Sequence, residues 1–280
     1  MSTTITTKDI AELRARTGAG MMDCKKALEE ANGDMELAGE ILRKKGIAKA
    51  EKRAGRDAAQ GLVVIETTAD GSTAAMVELN TETDFVARND EFQALARRLA
   101  QHALAESPVG VSRDAFLAET MDGRTIEETI KQASGKTGEA MTLKRVAKFG
   151  GLVGEYRHFN SQVGVLVEVA GATGGEALAV AREVALHVAS ADPIAVTTDD
   201  IPAELLERER RIAEEQVAAE GKPEAIRGKI VEGKVKKFAT ERALVEQAFI
   251  KDESKTVGQL LAGVPGMTVR RFARFKIGEA

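Results

Sequence analysis

Cysteine is almost absent from this 280-residue chain: Cys24 stands alone. A single thiol rules out an intrachain disulfide and a zinc cluster built on cysteine. The pattern fits a reducing compartment. Tryptophan is missing, tyrosine occurs once, and nine phenylalanines make up most of the 4% aromatic content. Packing must rest on Ala, Val, Leu and Ile, so a phenylalanine left at the surface is a candidate contact residue. An excess of basic charge is missing too, since 40 Lys and Arg face 44 Asp and Glu, a formal net charge of -4. Binding nucleic acid without sequence preference needs basic residues to neutralise phosphate, so no direct nucleic-acid partner is expected. No run of about 18 apolar residues occurs, and neither a transmembrane helix nor a membrane partner is expected. The polar stretch Met1–Asp9 lacks the apolar segment of a signal peptide. The expected location is cytoplasmic.

Catalytic constellations are also missing. Of the three histidines, His102 and His187 lie on apolar helical faces and read as packing residues at the core edge. Gly135-Lys136-Thr137 imitates the end of a phosphate-binding loop, but the glycine required five positions earlier is Ile130. Gly18, Gly20 and the Gly174-Gly175 pair do not form a dinucleotide fingerprint, and Cys24 has no base beside it. No catalytic residue, cofactor or metal is expected, and the chain reads as a binding protein rather than an enzyme. An RNA- or ribosome-binding factor would need a basic face interleaved with aromatics. A small-molecule enzyme would need a site that these residues do not offer.

What is present begins with three short helices over residues 7–45. Thr6 and Asp9 form a capping-box pattern before Ile10 and Leu13. Gly18-Ala19-Gly20 breaks that helix. A second runs from about Asp23 to Ala31, and Asp34 caps a third with Leu37, Ala38, Ile41 and Leu42 on one face. Residues 46–60, with Lys49, Lys52, Arg53 and Arg56, read as a basic linker with some helical tendency. From Gly61 the period changes. Leu62–Ile65 and Ala74–Leu79 read as strands around the turn Ala69-Asp70-Gly71-Ser72, followed by a helix from about Asp90 to Ala105.

This unit recurs. Gly61-Leu62-Val63 matches Gly151-Leu152-Val153, and Val77-Glu78 matches Val167-Glu168, both at an offset of 90. Ala100 and His102 match Ala185 and His187 at an offset of 85. The first copy therefore holds five more residues between its second strand and its helix, in the stretch Asn80–Asp90. A shared scaffold with one enlarged loop suggests a loop with a task of its own. The equivalent stretch of the second copy, residues 171–175, is expected to tolerate substitution. Residues 106–150 join the copies, with helix over Ser112–Glu119 and Arg124–Ala133. Residues 199–240 read as a charged helical hairpin, with Ile201, Leu205, Ile212 and Val217 on one side, a break at Gly221-Lys222-Pro223, and Ile226, Ile230, Val231, Val235 and Phe238 beyond it. Phe272, Arg274, Phe275 and Ile277 fit a final strand loosely.

The run Leu13-Arg14-Ala15-Arg16-Thr17-Gly18-Ala19-Gly20-Met21-Met22-Asp23-Cys24-Lys25-Lys26-Ala27-Leu28 resembles the N-terminal signature of the elongation factor Ts family. Thr83-Asp84-Phe85-Val86-Ala87 resembles its second signature. The resemblance continues from Gly228-Lys229 to Phe238 and through Ser254–Leu261, so it covers nearly the whole chain. It implies an α+β fold with a small ubiquitin-associated-like three-helix module, two repeated α+β core subdomains with small antiparallel sheets, and a protruding antiparallel helical hairpin. On this chain these are a partner-binding module at 1–45, the basic linker at 46–60, core subdomain N at 61–150, and core subdomain C at 151–280 carrying the hairpin at about 199–240.

The resemblance further implies a guanine-nucleotide exchange factor for elongation factor Tu in translation elongation, binding it in the GDP-bound and nucleotide-free states. Arg14, Met21, Met22 and Lys25 match positions that pack on the GTPase domain. Asp84 and Phe85 match the pair that intrudes beside the nucleotide and disturbs the magnesium and phosphate site, after which GTP displaces the factor. His158 and Ile250 match contact positions on the second subdomain. Thr137 and Lys251 stand where the family has hydrophobic contact positions. Self-association through the core is left open. Spacing alone favours Phe85 as a core residue of its own loop; it is equally compatible with Met21 and Met22 as ordinary helix-start packing, and His158 is open between packing and contact.

Overall fold

The computed structural model describes residues 5–53, 55–221 and 223–279. Lys222 of the expected break, Ala54 of the linker, and positions 1–4 lie outside the described residues. Mixed helix and small antiparallel sheets make this an α+β protein.

The N-terminal module is built from α1 (Thr7–Thr17), α2 (Met21–Glu30) and α3 (Met35–Glu51). Thr6 accepts a hydrogen bond from Asp9 N while the Asp9 carboxylate accepts from Thr6 N, so the capping box forms. Helix α2 starts two residues earlier than expected, at Met21, and Asp34 caps α3 by accepting from Glu36 N and Leu37 N. Leu13, Cys24, Ala27, Leu28, Ala31 and Ala38 form a separate small core. Burial pushes the Cys24 thiol up, which suits a packing role. Helix α3 does not stop at residue 45; it runs on to Glu51 with Ala50 buried, so the first part of the basic stretch is helix.

The first copy of the repeat comprises β1 (Gln60–Thr67), β2 (Thr73–Thr81), α4 (Asp84–Ala87), α5 (Asp90–Ala105), α6 (Arg113–Ala118), β3 (Thr120–Met121), β4 (Arg124–Thr125), α7 (Ile126–Thr137) and β5 (Met141–Gly150). Its sheet has the order β1-β2-β5. The second copy comprises β6 (Leu152–Arg157), β7 (Val163–Ala170), α8 (Gly175–Ala191), the hairpin α9 (Ala203–Ala219) and α10 (Glu224–Arg242), β8 (Ala248–Phe249), β9 (Asp252–Thr256), α11 (Val257–Ala262) and β10 (Thr268–Lys276). Its sheet has the order β10-β7-β6, with β6 and β7 antiparallel. The described residues of 1–66, 75–148 and 276–280 form one compact unit, and 67–74 with 149–275 form another.

The duplication is longer than the sequence identities suggest. Each copy is strand, strand, long helix, two-stranded ribbon, helix, strand. The central strand of each carries a buried glutamate held by arginine from the third strand. Arg145 Nε donates to Glu78 at 2.6 Å, and Arg271 Nε and Arg270 Nη1 donate to Glu168 at 2.7 and 3.1 Å. A buried carboxylate is tolerable only with such partners. The matched histidines are tied to polar groups rather than merely packed. His102 Nε2 lies 3.0 Å from Glu119 Oε2, and His187 Nε2 lies 2.9 Å from Gln247 Oε1. Thr125 and Thr256 head the matching helices α7 and α11 with equivalent capping boxes.

Within the first unit, α3 crosses α7 closely. A Cβ on Gly135 would stand 2.9 Å from Gly46 Cα, so only glycine permits this backbone approach. In the hairpin, Ala213, Val217, Val231 and Val235 form the seam, with Leu206 and Ile230 against it. Leu205 and Ile212, read on one side of the helix with Ile201 and Val217, do not share their burial and are 37% and 38% exposed. The buried helical stripe runs through Leu206 and Ala213, one residue on. The stretch 171–175 is also less permissive than expected. Gly171 has φ +78, and a Cβ there would fall 1.9 Å from Gly266 O.

Candidate functional site

The enlarged loop of the first copy is an ordered turn. Thr83 caps the four-residue α4, its side chain accepting from Val86 N at 3.3 Å. The cap is held in turn by Glu139, on the segment between α7 and β5. Thr83 N and Thr83 Oγ1 donate to the Glu139 carboxylate at 3.0 and 2.6 Å, and Thr81 Oγ1 donates at 2.9 Å. The grip is reciprocal, because Glu82 accepts from Ala140 N at 2.7 Å and from Arg56 Nη1 at 3.2 Å. The hydrogen bond from Ala140 N, helped by Arg56, holds the Glu82 carboxyl below its usual range.

This frame decides where the neighbouring side chains go. Ala87 is buried and Val86 packs on the core of the first unit. Phe85 is 82% exposed. Asp84 sits in the first turn of α4 and pairs with Arg88 at 3.0 Å. Burying a phenylalanine is worth about 1.5–3 kcal/mol, and the loop forgoes that gain. The reading of Phe85 as a core residue of its own loop is therefore excluded.

On the module, Met21 and Met22 are 56% and 63% exposed at the start of α2, and both are absent from the module core. Arg14 and Lys25 are exposed, Lys25 with Glu29 as a loose i,i+4 partner at 3.8 Å. Packing at the helix start does not account for two exposed, flexible apolar side chains.

Within the second unit, His158 opens the turn between β6 and β7. Its Nδ1 lies 2.9 Å from Tyr156 OH, and its ring is 4.6 Å from that of Phe159. Phe159 is 91% exposed. Ile250 is 44% exposed beside the β8–β9 ribbon, and its backbone N donates to His187 Nδ1 at 3.2 Å. The departures from the family pattern are accommodated locally. Lys251 pairs with Glu183 at 2.7 Å, and Thr137 Oγ1 donates to Ala133 O at 3.2 Å.

Sequence reasoning singled out Asp84 and Phe85 but not the residues that set them, Thr83 and Glu139, and it passed over Phe159. The turn alignment held a signal for Phe159, since at an offset of 90 it falls opposite Ala69 in the first hairpin turn, where a side chain has no core to enter. No group of three or more His, Cys, Asp or Glu able to hold a metal exists among the described residues, and no described helix is long and apolar enough to cross a membrane.

Comparison with known proteins identifies the family. The family model described as Elongation factor TS matches residues 82–279. Elongation factor Ts of Thioalkalivibrio sulfidiphilus (strain HL-EbGR7) is 48% identical over 280 residues, covering 99% of this chain and 93% of the relative. Elongation factor Ts of Aquifex aeolicus (strain VF5) is 45% identical over 289 residues, covering 99% of both chains. Elongation factor Ts of Alkalilimnicola ehrlichii (strain ATCC BAA-1101 / DSM 17681 / MLHE-1) is 45% identical over 273 residues, covering 96% and 91%. The exposed Asp84-Phe85 turn lies inside the matched segment, the relatives align over nearly the full length, and the chain belongs to the elongation factor Ts family.

Proposed function

We propose that this chain is a guanine-nucleotide exchange factor for elongation factor Tu, working in the cytoplasm by binding alone, with no covalent bond made or broken. The observation that carries the reading is Phe85, held outward on a turn braced by Glu139. GTPases hold their nucleotide through a phosphate-cradling loop, a lysine and Mg²⁺. Weakening that hold requires a group that binds the open conformation better than the closed one. Phe85 brings a large apolar area with few rotamers to freeze. Asp84, beside it, competes for the donors and the magnesium shell of the phosphate site.

The remaining contacts give affinity. Arg14, Met21, Met22 and Lys25 form the face of the module at 1–45 that packs on the GTPase domain, and the core subdomain from 151 adds His158 and Ile250. The factor takes up the GDP form, releases GDP and is displaced by GTP. Coupling is reciprocal, because a factor that loosens the nucleotide is loosened by it to the same degree. The test is to mix the chain with elongation factor Tu and follow release of a fluorescent GDP analogue, with size-exclusion chromatography of the nucleotide-free complex. Faster release and a complex dissolved by excess Mg·GDP are expected. A complex indifferent to Mg·GDP would refute the exchange reading.

A further inference from the structure

Only two of the nine phenylalanines are exposed, Phe85 and Phe159, and Phe159 at 91% is the more exposed. It is not on a loose loop. The turn that carries it is closed by Ser161 N donating to His158 O at 2.9 Å and His158 N donating to Val163 O at 3.0 Å. Asn160 Oδ1 accepts from Gln162 N at 3.0 Å, and Ser161 takes φ +57 to complete the reversal. On one side the ring leans on His158 at 4.6 Å, and that imidazole is itself tied to Tyr156 OH at 2.9 Å. The ring is thus displayed with part of its rotamer freedom already removed, which lowers the cost of binding through it.

We infer that Phe159 is a second aromatic anchor of the exchange complex, seating in an apolar pocket of elongation factor Tu next to the contact made by His158. This rests on the exchange reading above. Its surroundings select this occupant over a second copy of the chain. Arg157, Asn160 and Gln162, its neighbours along the turn, are exposed and polar. A stable dimer face needs about 800 Å² per partner with an apolar centre, whereas one ring offers about 150–250 Å². A lone ring in a polar collar fits a pocket. Its adjacency to His158 makes it continuous with a contact the exchange reading already contains.

The experiment uses the full chain and elongation factor Tu. Affinity for the nucleotide-free partner is measured by titration, the maximal GDP release rate at saturating factor by stopped flow, and the melting temperature on the same samples. Phe159→Ala is expected to bind roughly 10- to 100-fold more weakly, Phe159→Leu to fall between, and the maximal rate and melting temperature to stay as in the parent. If the parent chain itself fails to accelerate release, the exchange reading fails and the inference with it. If the parent is active and Phe159→Ala binds equally well, the inference alone is overturned. A loss of self-association in Phe159→Ala with unchanged affinity for elongation factor Tu would assign the ring to a second copy and overturn it. A melting temperature lowered by several degrees would mark the ring as structural, with the same consequence.

Discussion

Thr83 and Glu139, 56 positions apart, are joined twice, since the Thr83 amide and hydroxyl both donate to one carboxylate, at 3.0 and 2.6 Å. That pair of hydrogen bonds fixes the cap of α4 and thereby the direction of Phe85. Glu139→Ala leaves the Thr83 amide and the Thr81 hydroxyl without their acceptor, at a cost of about 1–3 kcal/mol. The expected result is a folded protein with a modestly lowered melting temperature and GDP release slowed about tenfold. Glu139→Gln, which keeps an acceptor oxygen, should recover much of both. Stopped-flow release and thermal melts on the two variants decide.

Phe85→Ala removes an exposed ring, so its melting temperature should match the parent's. If the ring is the wedge, affinity for the open partner should fall by about 2–4 kcal/mol, or roughly 30- to 1000-fold. Asp84→Ala should do less, because an exposed charge is screened by solvent. A Phe85→Ala protein exchanging at the parent rate would remove the wedge assignment and leave the family assignment standing.

Deleting residues 1–50 should weaken binding strongly, because it removes Met21 and Met22. The core of the first unit should still fold, since the cluster around Leu13 and Leu28 is separate from it. The deletion also uncovers the Gly135 groove and Ala50's contact surface, so a lower melting temperature is expected than for the intact chain. Circular dichroism and a binding titration check both halves. Unimpaired affinity would exclude the module as a contact.

Acid should act on the native state in two steps of the same sign. Burial holds the His187 pKa below its ordinary value of 6.5. As pH falls below that value the unfolded chain takes up a proton that the native chain refuses, so stability declines until pH passes the folded value. Glu82, held below 4.5 by Ala140 N, joins Asp9, Asp70, Asp200 and Asp252, whose carboxyls are held low by local hydrogen bonds, in a second loss that starts near pH 4.5 and continues as pH falls through their folded values. Melting temperatures from pH 8 to 3 should show the upper step in the parent, and His187→Gln should flatten it while leaving the lower one.

The offset of 90 found in the sequence was a true duplication, and Glu78 and Glu168 were among its matches without any sign that they would be buried. The ribbons β3–β4 and β8–β9 were not legible, because two-residue strands carry no period. Strand β5 was hidden by its charges. Lys144 and Arg145 interrupt the apolar pattern, and Lys148 is buried by donating to Leu104 O and Ser107 O at 2.6 Å each. In the hairpin Ile201, Val217, Val231 and Val235 are buried as their spacing implied, while Leu205, Ile212 and Ile226 are exposed and Leu206 and Ala213 take the inward places on α9. The loop holding Asp84 and Phe85 was legible from its length difference. Glu139 was not, because nothing local in its segment points to Thr83.

The Gly46–Gly135 crossing gives the first unit a mechanical property. A 17-residue helix spans about 25 Å, α3 rests on α7 at Gly46, and the methionine-bearing α2 is tied to that same C-terminal stretch of α3 by the pairs Lys45–Glu30 and Lys49–Asp23. Two glycines thus set how closely the module's last helix meets α7, with no side chain between the backbones. Gly138 caps the end of α7, one residue before the carboxylate that grips Thr83. A bulkier residue at Gly135 would push α3 off α7, and so displace the module, while touching neither Met21 and Met22 nor the Phe85 turn.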